Sequence, residues 1–572
     1  MRKRNLVLMF AASMAALFPQ IAIPVQSQTS PAALTGRVSS KEEGPMEGVL
    51  VGAAKEGSNI TIIVVSGDKG RYSFPRAKLE SGQFFLSIRA VGYDLEDPGP
   101  VNVTATKTAS VDLNLRNTKD LASQLSNAEW LLSIPGTREQ KLGLLGCVGC
   151  HSLERIVRSR HDAAEWSQVL KRMNYYVGST PRRPQRRPAA PETTRDAPME
   201  GNEGRDRPNP DFLASINLSS ASRWEYPLKT LPRPKGLGTQ VIYTEYKLPR
   251  QDSMPHDAIV DSEGMVWYGD FGNQYLGRLD PKTGKAVEYP VPILKKGFPL
   301  GALDVELDKA GDVWLGMMVQ GGLAKFDKKS QQIQTWSLPP EANTDAAQVA
   351  MVMPWQQDVD GKVWTNNVGL RAVQRLDVKS GKIETIRVYK DLKDGQDHAV
   401  YGIGADSANN LFFNDVRTEK IGRVDAKTLE VRFFDTPTAR SNPRRGHMDS
   451  QDRWWFAEFR GNKIGMFDTR NERFQEWDPP TPWMQPYDVV RDKNGEVWTS
   501  GMTNDFVARL DLKTGKFIEY LLPLISLNTR RVFVDNSTNP VTFWVGDNDS
   551  ASIVKLEPRS TGLQPANSMA TN

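Results

Sequence analysis

The chain has 572 residues, of which 39% are hydrophobic and 25% are charged. This balance is typical of folded domains and excludes a chain that is disordered or membrane-embedded throughout. The net charge of +5 is small for this length, and no basic recognition motif accompanies it, so the sequence predicts no nucleic-acid partner.

The N-terminus has the pattern of a secretory signal peptide. Basic residues at 2–4 precede an apolar run over 6–18, and a polar stretch with small residues follows. The apolar run is too short to span a bilayer comfortably. We therefore predict that residues 1–28 are removed on export, which leaves a periplasmic or secreted protein with no transmembrane segment. An uncleaved anchor is the alternative.

Residues 29–117 alternate apolar and polar side chains in short runs separated by Gly, Asp and Asn turns. This pattern is typical of a β-sandwich. The segments 67–74 (GDKGRYSF) and 90–93 (AVGY) resemble those of the carboxypeptidase regulatory-like domain, a small transthyretin-like sandwich. The resemblance implies a docking or spacer module that carries no catalytic residues.

Residues 118–220 have helical composition over 122–132, 163–173 and 212–218. Asp162 is predicted to cap the second helix, with Glu165 completing a capping box. The stretch 180–210 is too polar and too rich in Pro and Arg to bury apolar surface, so we predict a disordered insertion. A basic patch for an acidic partner is the alternative. Residues 221–240 form a predicted linker.

The chain has only two cysteines, and both lie in Cys147-Val148-Gly149-Cys150-His151, the Cys-x-x-Cys-His attachment signature of c-type heme. Two thiols at this spacing reach the two vinyl groups of one porphyrin, and the adjacent histidine is the proximal iron ligand. A zinc site would need further ligands, and a redox dithiol expects a βαβ context. We therefore predict heme c, bound covalently at Cys147 and Cys150 and ligated by His151.

The run from 147 to 173 resembles the cytochrome domains of quinohemoprotein-type enzymes, in which a downstream helical methionine ligates the iron. The segment 212–218 (FLASINL) resembles the helix that closes such domains. The resemblance implies Met173 as the distal iron ligand. His161 is the competing ligand, and a core methionine that touches no iron is a further alternative. Methionine would raise the reduction potential relative to a second histidine.

Residues 241–557 repeat two strand patterns seven times. One pattern ends in an aromatic residue, as in 264–267 (GMVW) and 311–314 (GDVW), and these aromatics recur every 42–50 residues. The other pattern ends in an acidic residue, as in 276–280 (LGRLD). Seven copies predict a seven-bladed β-propeller. The strand 243–249 precedes the first blade and is predicted to complete the last one, which closes the ring. An open solenoid is the alternative.

The predicted fold is therefore multidomain and mainly β. It comprises a small β-sandwich (29–117), an α-helical cytochrome c domain (118–220), a linker (221–240), the seven-bladed β-propeller (241–557) and a disordered tail (558–572).

The propeller resembles the virginiamycin B (streptogramin) lyase family, on repeats such as 255–259 (PHDAI) and 455–458 (WFAE). Members of that family open a cyclic depsipeptide by elimination, with a histidine base, acidic residues and a divalent metal, normally magnesium. The resemblance implies Mg²⁺ and a catalytic set drawn from His256, Asp270, His447 and Glu458. The set is incomplete, because Arg444 stands fourteen residues before Glu458, where the family pattern has histidine.

Other polar residues fall at predicted strand ends near the propeller axis, where turn chemistry is the alternative to a binding role. They are Asp257, Asp304, Tyr401, Asp415 and Asp488.

Three functions stay open. The first is a periplasmic electron-transfer protein whose propeller holds a small-molecule substrate or docks a redox partner protein. The second is a metal-dependent lyase in which the heme is ancillary. The third is a quinohemoprotein-like, heme-dependent oxidoreductase, although no protein-derived quinone and no nicotinamide-binding motif is readable.

Overall fold

The computed structural model describes residues 31–149, 151–173, 176–177, 185–186 and 208–559. The predicted signal peptide, Cys150, most of the predicted insertion and almost all of the predicted tail lie outside the described residues. Among the described residues, no helix is both long and apolar enough to span a bilayer.

The N-terminal part is a β-sandwich, as the alternating pattern predicts. Its strands are β1 (Ala32–Ser40), β2 (Gly44–Pro45), β3 (Leu50–Lys55), β4 (Ile60–Val65), β5 (Arg71–Pro75), β6 (Gly82–Arg89), β7 (Tyr93–Leu95), β8 (Val101–Val103), β9 (Ala109–Ser110) and β10 (Leu113–Asn117). One sheet has the order β2-β1-β10-β7, with β5 and β9 also paired to β1, and the other contains β4-β3-β6-β8. Leu34 and Phe74 from the first sheet share a buried core with Val51 and Val64 from the second.

A helical segment follows the sandwich. Its elements are a 3-10 turn (Leu121–Gln124), α1 (Asn127–Ser133), α2 (Arg138–Gly143), α3 (Leu145–Val148), α4 (Glu154–Val157), α5 (Ala163–Met173), β11 (Tyr176–Val177), β12 (Gln185–Arg186) and α6 (Pro210–Ile216). β12 falls inside the predicted insertion and pairs with β11.

The predicted capping box of α5 is confirmed, since the backbone N–H of Glu165 donates to Asp162 Oδ1 at 2.8 Å and that of Asp162 donates to Glu165 Oε2 at 3.0 Å. Trp130, Leu144 and Leu213 form a buried core between the helices. A second 3-10 turn (Gly236–Thr239) lies in the linker.

The rest of the described chain is built from short strands. They are β13 (Val241–Lys247), β14 (Pro255–Val260), β15 (Val266–Asp270), β16 (Tyr275–Leu279), β17 (Ala286–Pro290), β18 (Val305–Leu307), β19 (Val313–Gly316), β20 (Gly322–Asp327), β21 (Gln332–Ser337), β22 (Val352–Met353), β23 (Lys362–Asn367), β24 (Ala372–Asp377), β25 (Ile383–Ile386), β26 (Val400–Ala405), β27 (Leu411–Asp415), β28 (Lys420–Val424), β29 (Val431–Asp435), β30 (Pro443–Met448), β31 (Arg453–Glu458), β32 (Lys463–Asp468), β33 (Arg473–Trp477), β34 (Pro486–Arg491), β35 (Val497–Gly501), β36 (Phe506–Asp511), β37 (Lys516–Leu521), β38 (Phe533–Asp535), β39 (Thr542–Asp547) and β40 (Ser552–Pro558). A 3-10 turn (Pro340–Ala342) and the single helical turn α7 (Gln357–Asp360) lie between strands.

These strands form seven four-stranded antiparallel units, which make a propeller. Six units take four consecutive strands each, from β14–β17 to β34–β37. The seventh consists of β38, β39 and β40, completed by β13 from the start of the propeller. The first strand of each unit contacts that of the next, and β38 contacts β14. The predicted closure by the strand before the first blade is therefore confirmed.

A repeated hydrogen bond accompanies the aromatic period in four of the seven blades. In four blades an aspartate in the turn before the second strand accepts a hydrogen bond from the indole N–H of the tryptophan six residues later, at 2.8–3.0 Å. The pairs are Asp261–Trp267, Asp308–Trp314, Asp449–Trp455 and Asp492–Trp498. Each bond satisfies the polar atom of a buried ring and fixes the turn against its strand.

The sandwich and the propeller share a sheet, which the sequence did not predict. The free edge of β13 pairs antiparallel with β4, so that Thr244 stands opposite Lys555 on one side and Ile62 on the other. The resulting eight-stranded sheet runs from the last blade into the sandwich. Pairing covers a strand edge that would otherwise present unpaired backbone groups.

Candidate functional site

Strand register defines two sets of seven equivalent positions near the propeller axis. In each blade, one residue of the first strand pairs with the repeated aromatic residue of the second strand. The residue two positions before it belongs to the first set, which we call the salt-bridge ring. Its members are Asp257, Asp304, Met351, Gly402, Arg445, Asp488 and Arg531. The preceding residues form the arginine–tyrosine ring: His256, Leu303, Ala350, Tyr401, Arg444, Tyr487 and Arg530.

The two arginines of the salt-bridge ring form ion pairs with its aspartates across the axis. Arg445 donates to Asp257 at 3.0 and 3.1 Å and to Asp304 at 2.6 Å. Arg531 donates to Asp304 at 3.2 Å and also to Glu306. All of the ring's charged side chains are buried, so these pairs satisfy one another where water does not.

Both predicted catalytic histidines contact aspartates of this ring. His256 is buried, and its Nδ1 lies 2.5 Å from Asp257 Oδ1, while its Nε2 has no hydrogen-bond partner among the described residues. Burial lowers the pKa of His256 to about 4, although Asp257 opposes the shift. Nε2 of His447 lies 3.1 Å from the Asp488 carboxylate.

The two predicted catalytic acids lie elsewhere. Asp270 forms an ion pair with Arg250 and accepts hydrogen bonds from the backbone N–H groups of Gly272 at 3.0 Å and Asn273 at 3.1 Å, which is turn chemistry. Burial, reinforced by Glu476, raises the pKa of Glu458 to about 9. The described structure does not bring His256, Asp270, His447 and Glu458 into one site. Asp415 likewise accepts from the backbone N–H of Ala399 and pairs with His398.

The arginine–tyrosine ring faces the helical segment. Nη2 of Arg530 donates to the carbonyl oxygen of Gly149, inside the Cys-x-x-Cys-His motif, at 2.7 Å. The Arg444 guanidinium lies 3.7 Å above the Phe459 ring and 5.1 Å from the Tyr487 ring. The hydroxyl groups of Tyr401 and Tyr487 are hydrogen-bonded to each other.

Apolar packing holds the helical segment on this end of the propeller. Phe459, Tyr487 and Met502 belong to the same buried cluster as Trp130 and Val148 of the helices. The backbone N–H of Ala128 donates to the Thr503 carbonyl at 2.7 Å, and Arg138 lies 5.2 Å above the Trp483 ring. The helical segment therefore covers one end of the axis.

The described residues of the motif fit a heme. Cys147 lies on α3 and is partly buried against the helical core. Nδ1 of His151 lies 2.9 Å from the Ser152 carbonyl oxygen, which suits a proton on Nδ1 and leaves Nε2 as the ligating atom. Burial lowers the pKa of His151, which keeps the imidazole neutral. Cys150 lies outside the described residues.

The two candidate distal ligands are both exposed. Met173 is the last residue of α5 and is 39% exposed. The side chain of His161 is 46% exposed and its Nδ1 lies 3.4 Å from Glu165. The identity of the distal ligand stays a prediction.

Within the described residues, no group of three or more His, Cys, Asp or Glu side chains is arranged to hold a metal ion. The carboxylates near the axis are bonded to Arg445 and Arg531 instead. Magnesium therefore stays a prediction from the family resemblance alone.

Sequence reasoning missed three cations, one aromatic residue and one methionine of the site. Arg445, Arg530, Arg531, Tyr487 and Met502 were not among the candidate residues. One signal was present, because the Arg-Arg pairs at 444–445 and 530–531 occupy the same position of the repeat.

The comparisons with known proteins concern the propeller part of the chain. The model of the Virginiamycin B lyase family matches residues 391–561. Selenomethionine-substituted virginiamycin B lyase from Staphylococcus aureus is 22% identical over 55% of this chain and 99% of its own, with a TM-score of 0.47. A streptogramin B lyase structure is 22% identical over 56% of this chain and 99% of its own, with a TM-score of 0.46. No curated protein matches the chain.

Proposed function

We propose that the chain is an exported c-type heme protein that transfers electrons, with the heme held between the helical segment and the propeller. The observation that carries the proposal is the side chain of His151. Its Nδ1 is 2.9 Å from a backbone carbonyl, so Nε2 is the nitrogen left to bind an iron.

The residues of the motif have distinct roles in this proposal. Cys147 and Cys150 form the thioether bonds, and His151 is the proximal ligand. Met173 is the proposed distal ligand and His161 its competitor. When bound, the heme supplies one-electron oxidation and reduction.

The position of the motif gives the propeller a part in this function. Because Arg530 donates to Gly149, this residue of the motif lies against the axial end of the propeller. The propeller therefore forms a wall of the heme site. A small molecule or a redox partner protein bound at the propeller would lie close enough to exchange electrons with the heme.

A metal-dependent lyase is the second candidate, and the family match over 391–561 favours it. Two observations weigh against the lyase function. Arg444 stands where the family pattern has the histidine base, and Glu458 lies against Glu476. A quinohemoprotein-like oxidoreductase would use the same heme with a small-molecule donor.

The heme is tested directly. The chain is produced in cells that attach c-type heme, unfolded in denaturant, extracted with acid, and assayed for retained porphyrin by its pyridine hemochrome spectrum. We expect retention in the wild type and in the control His161→Ala, and loss in Cys147→Ser/Cys150→Ser. A wild-type polypeptide that retains no porphyrin would overturn the proposal.

Anaerobic titration of the heme protein then separates the functions. Reduction of the heme by a partner protein alone supports electron transfer, and reduction by a small molecule alone supports an oxidoreductase. Product formation with an unchanged heme spectrum supports the lyase.

A further inference from the structure

Two cations of the arginine–tyrosine ring lack an anionic partner. No carboxylate among the described residues lies within ion-pair distance of Arg444 or Arg530, whereas Arg445 and Arg531 beside them are both ion-paired. Arg530 is 8% exposed, and its Nε has no hydrogen-bond partner. Nε of Arg444 is also buried without a partner. Arg530 is buried and Arg444 is partly buried, and a desolvated cation outside an ion pair is costly, so this arrangement suits an anion that binds there.

Both arginines are held in place by aromatic rings. Arg530 lies 5.2 Å and Arg444 5.1 Å from the centroid of the Tyr487 ring. Stacking orients the planar guanidinium groups and leaves their N–H edges for an acceptor. Burial lowers the pKa of Arg444, whereas Tyr487, Tyr401 and the more distant Asp549 outweigh burial and raise the pKa of Arg530.

Arg530 contacts the heme-attachment motif, and Arg444 contacts a residue that packs beside it. Nη2 of Arg530 donates to Gly149, which lies between the two cysteines. Nη1 of Arg444 is 3.9 Å from Sδ of Met502, a residue that belongs to the buried cluster against which Cys147 packs. An anion bound by this pair would therefore lie beside the attachment site.

We propose that Arg444 and Arg530 form a carboxylate-binding pair at the axial end of the propeller, and that a propionate of the heme is the carboxylate it binds. This inference rests on the proposed function. Arginine binds carboxylates with paired N–H donors, and a propionate is the anionic part of a heme. A free small-molecule carboxylate has the same chemistry and is the alternative source.

The test uses the heme-loaded protein and the variants Arg444→Gln and Arg530→Gln, with Arg444→Lys and Arg530→Lys to retain charge. Retained porphyrin is scored first, so failure of the proposed function is recognised separately. The reduction potential and the propionate bending band of the resonance Raman spectrum are then measured.

We expect the Gln variants to have a lower potential, because loss of a nearby cation favours the oxidised heme, which carries one more positive charge. We also expect their propionate band to shift. The Lys variants should keep a potential closer to that of the wild type.

Arg375→Gln is the matched control. Arg375 is 9% exposed, lies 5.1 Å above the Trp364 ring and donates to the Ala426 carbonyl at 2.6 Å, so it resembles Arg530 but is ion-paired with Glu384. It should leave the potential and the band unchanged.

Titration of the wild type with succinate separates the two sources. A saturable spectral change that the Gln variants lack would support the pair with a free carboxylate as its ligand. An unchanged propionate band in both Gln variants, together with no succinate response, would overturn the proposal.

Discussion

Nη2 of Arg89 lies 2.8 Å from Oδ2 of Asp505, and the two side chains are only 8% and 1% exposed. Arg89 ends β6 of the sandwich, and Asp505 precedes β36 in the sixth blade. This ion pair joins the sandwich to one blade, while the β4–β13 ladder joins it to the next. The sandwich is thus fixed to two neighbouring blades, the sixth and the seventh.

Arg89→Met should strongly destabilise the protein. The change leaves Asp505 buried without its cation, and loss of one partner of a buried pair costs about 3–5 kcal/mol. The free energy of unfolding in urea, followed by tryptophan fluorescence, measures the loss.

Arg233→Met is the control for Arg89. Its partner Glu43 is 40% exposed, and exposed pairs contribute about 0–1 kcal/mol. Equal losses in the two variants would contradict a structural role for the buried pair.

The sequence predicted the repeat because four of the seven blades repeat the same local chemistry. The Asp261–Trp267 bond recurs in other blades at the same spacing, so the period is readable along the chain. The strand that closes the ring was readable for the same reason, since it has the pattern of an outer strand without a blade before it.

Contacts between distant segments were not readable in this way. Pairing of β4 with β13 joins two ordinary strand edges, and neither edge carries a local signature. Likewise, Arg445 meets Asp257 only because the fifth and first blades face each other across the axis. The local sequence pattern is enough to predict a blade. The site depends on which side chains the seven blades place around the common axis, and no local pattern predicts that.

His256→Gln should make the stability of the protein less sensitive to a fall in pH. Burial lowers the pKa of His256 to about 4, below the value of about 6.5 for an unfolded chain. The unfolded state therefore binds more protons between these values, and wild-type stability falls as the pH falls from 6.5 towards 4. The free energy of unfolding should drop by about 3 kcal/mol more in the wild type than in the variant over this window.

The pKa of His398 is shifted in the opposite direction, so its contribution to stability changes with pH in the opposite sense. Burial alone would lower its pKa, but hydrogen bonds to Asp415 at 2.6 Å and Asp394 at 2.9 Å outweigh burial and raise it. Its stabilisation is complete below the unfolded value and is lost as the pH rises through the folded one. His398→Gln should therefore lose most stability at acidic pH. If the free energy of unfolding depended on pH in the same way in His256→Gln and His398→Gln, the opposite pKa shifts of the two histidines would be contradicted.

Glu458→Gln should stabilise the protein at neutral pH. Burial and Glu476 raise the pKa of Glu458 to about 9, so the folded state binds a proton that the unfolded chain has released above about 4.5. This linkage lowers wild-type stability as the pH rises, by up to about 3 kcal/mol at pH 7. Glutamine keeps the shape without the charge.

The gain in Glu458→Gln should vanish near pH 4.5, where both states of the wild type hold the proton. Thermal unfolding of both proteins at pH 4.5 and 7 measures it. A loss of stability at pH 7 would mean that an ionised Glu458 is accommodated in the fold.

The wild type should not open a streptogramin B depsipeptide in the presence of magnesium. Arg444 stands where the family pattern has the histidine base. Its guanidinium stays protonated, so it cannot accept the proton that the histidine would remove. The four candidate residues of the lyase set are also divided between the axis and the blade turns. Mass spectrometry detects the linear product, with an authentic lyase as the positive control. Product that disappears in His256→Ala or His447→Ala would instead establish the propeller as a lyase with a different base.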